Sequence, residues 1–167
     1  FDLAPGAELP RPGDTFTYRV AGGPFTRTYR VKSVSRDSIV EEYKTLGWCT
    51  REWQHTGGAY IADLGISVFS PYLGITTDLR STQADWQLAL PACPGSLWTS
   101  RISVLRAETV EVPAGRFEAT KVRVERTWRR DKVLETQRMT VWYVPAVRRA
   151  VKFSSTTDLD LELESYE

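Results

Sequence analysis

The stretch WYVPAVRRAVKF, residues 142–153, decides how the chain is read. Two aromatics, a proline and a basic cluster could mark a nucleic-acid patch, a membrane-touching segment or a turn between strands. The turn accounts for most of it. Val144 ends one strand, and Pro145 sets φ near −65°, as the first central residue of a turn prefers. Arg148 then opens a return strand. On that strand Arg149, Val151 and Phe153 alternate against Arg148, Ala150, Lys152 and Ser154. The segment DLDLELESYE, residues 158–167, answers it: Leu159, Leu161 and Leu163 face one way, and Asp158, Asp160, Glu162 and Glu164 the other. A loop at 156–158 would set Phe153 against Leu161, Val151 against Leu163 and Lys152 against Glu162. The basic residues would then meet an acidic strand, and each such exposed pair contributes only a few tenths of a kcal/mol. Little net positive patch remains.

The same period of two runs outward in both directions. Phe16, Tyr18 and Val20 oppose Thr15, Thr17 and Arg19. The GGP at 22–24 turns the chain, and Phe25, Arg27, Tyr29 and Val31 then alternate with Thr26, Thr28, Arg30 and Lys32. RDS at 36–38 is the next turn, before IVEEYKTL. In the last third, ISVLRAETVEV leads into PAG at 113–115 and then into RFEATKVRVERTW. A two-residue turn at Arg130 and Asp131 would pair Trp128 with Val133, Arg126 with Glu135 and Val122 with Met139. It would also set Arg123 against Arg138, a like-charge clash that one of them must escape. In the middle, WCTREWQH and AYIADLGISVF read as short strands, while PYLGITTDLRSTQADW has no clean period.

The fold expected is all-β: one domain of about ten mostly antiparallel strands in a meander, with little helix. Such a sheet curls, forms a half-barrel or pairs as a sandwich to hide its apolar face. Residues 1–13 read as an extended arm and 14–167 as the domain. With 41% hydrophobic and 26% charged residues the composition is that of a globular protein. With 22 basic against 21 acidic residues the net charge is +1, which gives no general pull toward nucleic acid. No apolar run approaches the roughly 20 residues of a membrane-spanning helix, so a lipid anchor is the route to a membrane left open. The first residue is Phe1 rather than methionine, as either a cleaved signal peptide or a sequence cut short at its start would leave it.

Cys49 and Cys93 are the two cysteines. In an exported protein they read as one disulfide, which would stabilise the fold by about 4 kcal/mol. Two cysteines and one histidine make a poor zinc site, and nothing asks for a cofactor. His55 is the single histidine, no G-x-S-x-G elbow is present, and His55 lies about 20 Å from Cys49 along one strand. Carboxylate pairs exist at Glu41 and Glu42 and at Asp160 and Glu162, but the first two point to opposite faces and the others alternate with leucines. Trp48, Trp53, Trp86 and Trp98 fall in the least regular region. They are either core or the stacking platform of a binding surface for a sugar or an acyl chain.

PRPGDTFTYRV near the start, VEVPAGRFEATKVRV, TVWYVPAVRRAVKF and the closing LELESY together resemble uncharacterised exported bacterial β-rich proteins, many periplasmic or lipoprotein-like. Those carry GDxFxY or GDxWxY, VPAGxF and WYxPxV signatures; Phe16 stands where tryptophan is frequent. The resemblance covers both ends of the chain but not residues 46–100, and it carries no catalytic residues over. It implies a periplasmic or cell-envelope location and is nearly silent on activity; the strand-dense alternation, the expected disulfide and the aromatic-rich irregular centre point to a non-enzymatic protein binding a hydrophobic or glycan ligand or a protein partner on a curved sheet. Two other readings stand beside it: a structural or assembly subunit of an envelope complex, and a carboxylate-based hydrolase.

Overall fold

The computed structural model describes residues 3, 7–36, 38–45, 49–56, 60–63, 66–69, 72, 84–89, 97–130, 133–156 and 160–167. Their strands are β1 (Thr15–Val20), β2 (Thr26–Val34), β3 (Ser38–Thr45), β4 (Cys49–Thr56), β5 (Tyr60–Asp63), β6 (Ile66–Phe69), β7 (Ala84–Ala89), β8 (Leu97–Val112), β9 (Gly115–Arg130), β10 (Val133–Val144), β11 (Arg149–Ser155) and β12 (Leu161–Tyr166). All belong to one antiparallel sheet in the order β6-β5-β4-β3-β2-β1-β12-β11-β10-β9-β8-β7. The all-β expectation holds. Twelve strands replace the expected ten because Tyr60–Phe69 divides into two paired strands and the aperiodic middle contains β7.

The chain is a meander that starts in its own middle. β1 pairs with β12, through Tyr18 opposite Leu163 and Val20 opposite Leu161. From that seam β1–β6 run consecutively to one edge, and β12 back to β7 run to the other. The edges β6 and β7 share no ladder, so the sheet is open among the described residues.

Alternation decides which face is buried. Phe16, Tyr18, Tyr29, Val31, Ile39, Val122, Val124, Met139, Val141, Tyr143, Val151, Phe153 and Leu163 form one core on the inner face. Tyr18 stands edge-on to both Tyr29 and Phe153, with ring centroids 5.7 and 5.6 Å away. Polar residues of the opposite parity form the outer face. One outer row crosses six strands in direct register: Arg106, Lys121, Trp142, Lys152, Glu162 and Arg19.

Turn chemistry places the corners. At VPAG, residues 112–115, Pro113 and Ala114 turn β8 into β9, and Gly115 takes φ 136°. A Cβ there would meet nothing closer than the Phe117 ring at 3.8 Å, so backbone conformation rather than crowding requires glycine. The hairpin end reaches across to the last strand, where the Ala114 N–H donates to the Leu163 carbonyl (2.9 Å). At WYVPAVRRAVKF, Pro145–Val147 form a single 3-10 turn, and the Arg148 N–H donates to the Pro145 carbonyl (3.0 Å). Arg148 itself is left-handed at φ 61°, so the return strand begins one residue later than expected, at Arg149.

The expected contacts between the final strands are present in part. Phe153 faces Leu161 and Lys152 faces Glu162, with an ion pair at 2.7 Å. The ladder stops there, so Val151 and Leu163 are not partners in it; β12 instead continues along β1. The β9–β10 register is shifted by two residues from the expected one. Arg130 pairs with Val133, Val124 with Met139 and Arg138 with Glu125. The shift removes the Arg123–Arg138 clash and creates a 2.9 Å Arg138–Glu125 ion pair, while parity, and therefore the face of every side chain, is unchanged.

Candidate functional site

The inner face holds a charged centre that hydrophobic patterning does not announce. Arg149, the first residue of β11, is 1% exposed, and Glu41 in the middle of β3 is 0% exposed. Arg149 Nη1 donates to Glu41 Oε1 in a fully buried ion pair. Four strand-to-strand gaps separate β3 from β11, through β2, β1 and β12. Laid flat, that is about 19 Å, further than the two side chains reach together. The contact therefore requires the sheet to curl until its inner faces approach.

A third element completes the pair. Residues 70–83 connect β6 to β7, the two opposite edges, and Tyr72 is the described residue of that connection. Tyr72 is 0% exposed, its hydroxyl donates to Glu41 Oε1, and it accepts from Arg149 Nη1 at 2.6 Å. On the other side of the guanidinium, Arg149 Nε donates to the Tyr18 hydroxyl (2.9 Å), which in turn donates to the Ala150 carbonyl (2.5 Å). Aromatic rings complete the box: Phe16 at 4.6 Å, Tyr29 and Tyr72 each at 4.9 Å and Tyr18 at 5.5 Å from the guanidinium carbon. Such contacts are worth more when desolvated than at a surface.

The electrostatics follow from this packing. Burial disfavours the charge on Arg149, but the Glu41 carboxylate and the Tyr72 and Tyr18 hydroxyls outweigh it and hold the guanidinium protonated more firmly than in water. Burial pushes Tyr72 and Tyr18 well above the usual phenol range, more than nearby Arg149 pulls them down. The centre is thus a fixed ion pair flanked by neutral phenols.

A second polar cluster lies on the outer face. Glu108 accepts from Trp142 Nε1 (2.6 Å), Lys121 Nζ (3.0 Å) and Arg106 Nε (2.8 Å). Those three donors, the indole first, lower its carboxyl to about 2. Lys121 and Lys152 flank the Trp142 ring at 4.9 and 5.8 Å.

Backbone register locates most of the residues singled out from the sequence. Trp53 stands directly opposite Glu41. Trp98 stands between Leu88 and Trp128, and Trp86 opposite Ser100, which faces Arg126. Trp128 and Arg126 share the parity of buried Val124 and Val122. Backbone register thus sets Trp53 in β4, Trp86 in β7 and Trp98 in β8. Trp48 lies outside the described residues, as does Cys93. Cys49 opens β4; with Cys93 outside the described residues, the Cys49–Cys93 disulfide is not supported by this structure. Cys49 and His55 lie in one strand, six residues apart. The carboxylates considered for hydrolysis are tied up. Glu41 is in the buried centre, Glu42 on the opposite face pairs with Arg30 (3.5 Å), Asp160 accepts the Ser155 N–H (2.9 Å), and Glu162 holds Lys152.

Sequence reading missed the centre itself. Its signal was present in parity: Arg149 alternates with Val151 and Phe153, and Glu41 with Ile39 and Tyr43, so both charges occupy inner-face positions.

Two solved structures share this architecture. A "putative lipoprotein" from Parabacteroides distasonis is 15% identical with a TM-score of 0.53, covering 95% of this chain and 97% of its own. The hypothetical lipoprotein YmcC from Escherichia coli K12 is 11% identical with a TM-score of 0.53, covering 93% of this chain and 84% of its own. At these identities the fold is what is shared. No protein-family model matches the sequence, and no curated protein does.

Proposed function

We propose that this chain is a cell-envelope protein that binds a hydrophobic or glycan ligand on the inner face of its curled sheet. The observation that supports the reading is the curl: the buried Arg149–Glu41 pair brings β11 and β3 together across four strand gaps and gives the sheet a concave face, while backbone register sets Trp53 opposite Glu41 and Trp98 opposite Trp128. Flat aromatics on a concave wall suit both sugar rings and acyl chains. The likeness in fold to two lipoproteins supports an envelope location.

The test has two parts. Native mass spectrometry of freshly purified protein is expected to show a co-purified mass. Titration with a dansylated fatty acid and with a linear oligosaccharide is expected to give saturable binding to one probe, weakened at least tenfold by Trp86→Ala or Trp98→Ala. No co-purified mass and no binding of either probe would overturn the reading. That result would favour an assembly subunit docking through a sheet edge, since β6 and β7 each have a ladder on one side only among the described residues.

A further inference from the structure

We propose that Glu41 and Arg149 form a recognition site for a phenolic hydroxyl, and that Tyr72 is its built-in occupant. The site goes beyond the ligand surface proposed above and uses none of the tryptophans named there.

Three observations carry it. First, the walls come from strands that hold their places through ladders of their own: Phe16 and Tyr18 from β1, Tyr29 from β2, Glu41 from β3 and Arg149 from β11. Tyr72 alone comes from outside the strands, three residues past the end of the edge strand β6. Second, the polar pair is oriented without Tyr72. Arg149 keeps its bonds to Glu41 and to the Tyr18 hydroxyl, and the Tyr18 hydroxyl keeps the Ala150 carbonyl. Third, the chemistry is selective. The carboxylate takes a proton donor and the guanidinium needs an acceptor at the same point, and one hydroxyl oxygen satisfies both. The guanidinium also lies 4.9 Å from the Tyr72 ring centroid, so an aromatic ring carries that hydroxyl best. A site built to bond a hydroxyl rejects the analogue that lacks it far more strongly than it rejects a change of one methylene. An aryl hydroxyl is thus the ligand class that can exchange with Tyr72.

The experiment is chemical complementation. Tyr72→Gly removes the ring and leaves the walls. p-Cresol is expected to raise the unfolding midpoint of this variant saturably, as a ligand of the folded state does. Toluene, the same ring without the hydroxyl, is expected to bind at least tenfold more weakly. The wild-type protein, whose site is filled, is expected not to respond to p-cresol. Equal stabilisation by toluene and p-cresol, no response in a folded Tyr72→Gly variant, or an equal response in the wild type would each overturn the proposal. If Tyr72→Gly does not fold, Tyr72→Phe decides. It keeps the ring and loses the hydroxyl, and its unfolding midpoint is expected to fall; a midpoint equal to the wild type would overturn the proposal.

Discussion

Replacing Arg149 by methionine strikes the ion pair that pulls the sheet into its curve. The variant keeps an apolar side chain of comparable length but removes the guanidinium. Glu41, at 0% exposure, then keeps its charge site inside the protein without its cationic partner, and the Tyr72 and Tyr18 hydroxyls each lose a donor. Breaking a buried pair from one side costs about 3–5 kcal/mol. Against a total stability of about 5–15 kcal/mol for a native domain, that is a large share. At about 2–4 °C per kcal/mol for a chain of this size, the thermal midpoint should fall by about 6–20 °C. Urea unfolding followed by tryptophan fluorescence and by far-ultraviolet circular dichroism measures the loss. The double variant Glu41→Leu/Arg149→Met removes both charges and is expected to be more stable than the sum of the single losses implies, with a coupling of a few kcal/mol. An Arg149→Met protein within about 1 kcal/mol of wild type, or single losses that simply add, would refute the assignment of this pair as a desolvated, mutually dependent unit.

Two further outcomes follow from the polar clusters. Glu108 is lowered to about 2 in the folded protein from an ordinary 4.5, so the unfolded chain takes up its proton first as pH falls. Its stabilising effect is full above about pH 4.5 and is lost toward pH 2; thermal unfolding from pH 5 to 2.5 is expected to show a shallower decline in Glu108→Gln than in wild type. Among the described residues the buried Tyr143 hydroxyl has no hydrogen-bond partner, so Tyr143→Phe is expected to leave stability unchanged or raise it by up to about 1 kcal/mol, and a loss of more than about 1 kcal/mol in urea unfolding would show that the hydroxyl is bonded after all.

Much of the fold was legible because alternation and turn chemistry are local. Phe16, Tyr18, Tyr29 and Val31 could be sorted to one face from their own strands, and VPAG and VPAV marked corners from φ preferences alone. The β9–β10 register was wrong by two residues, although the correction lay within reach: only the observed pairing sets Arg138 against Glu125 instead of Arg123. What alternation does not encode is which strands become neighbours. Nothing local says that β12 lies beside β1, more than a hundred residues away in the chain, or that β6 and β7 end at opposite edges. The buried centre joins residues from β3, the β6–β7 connection and β11, so it depended on that non-local information. The sequence reading sent the basic residues of 148–152 toward the acidic last strand, whereas Arg149, in parity with Val151 and Phe153, is buried against Glu41; their meeting could not be foreseen without the curl.

The seam between β1 and β12 bears on how the chain reaches this structure. β1–β6 and β7–β12 are two runs in which every strand pairs with its sequence neighbour, and each can zip from hairpins at low loop-closure entropy. Joining them by way of Thr15 and Glu167, which exchange two backbone hydrogen bonds of 2.9 and 3.0 Å, closes a loop of nearly the whole chain. Linking those two ends and reopening the polypeptide between β6 and β7 would turn the slowest contact into a local one. A circular permutant of that kind should fold faster than the natural order, because its contact order is lower.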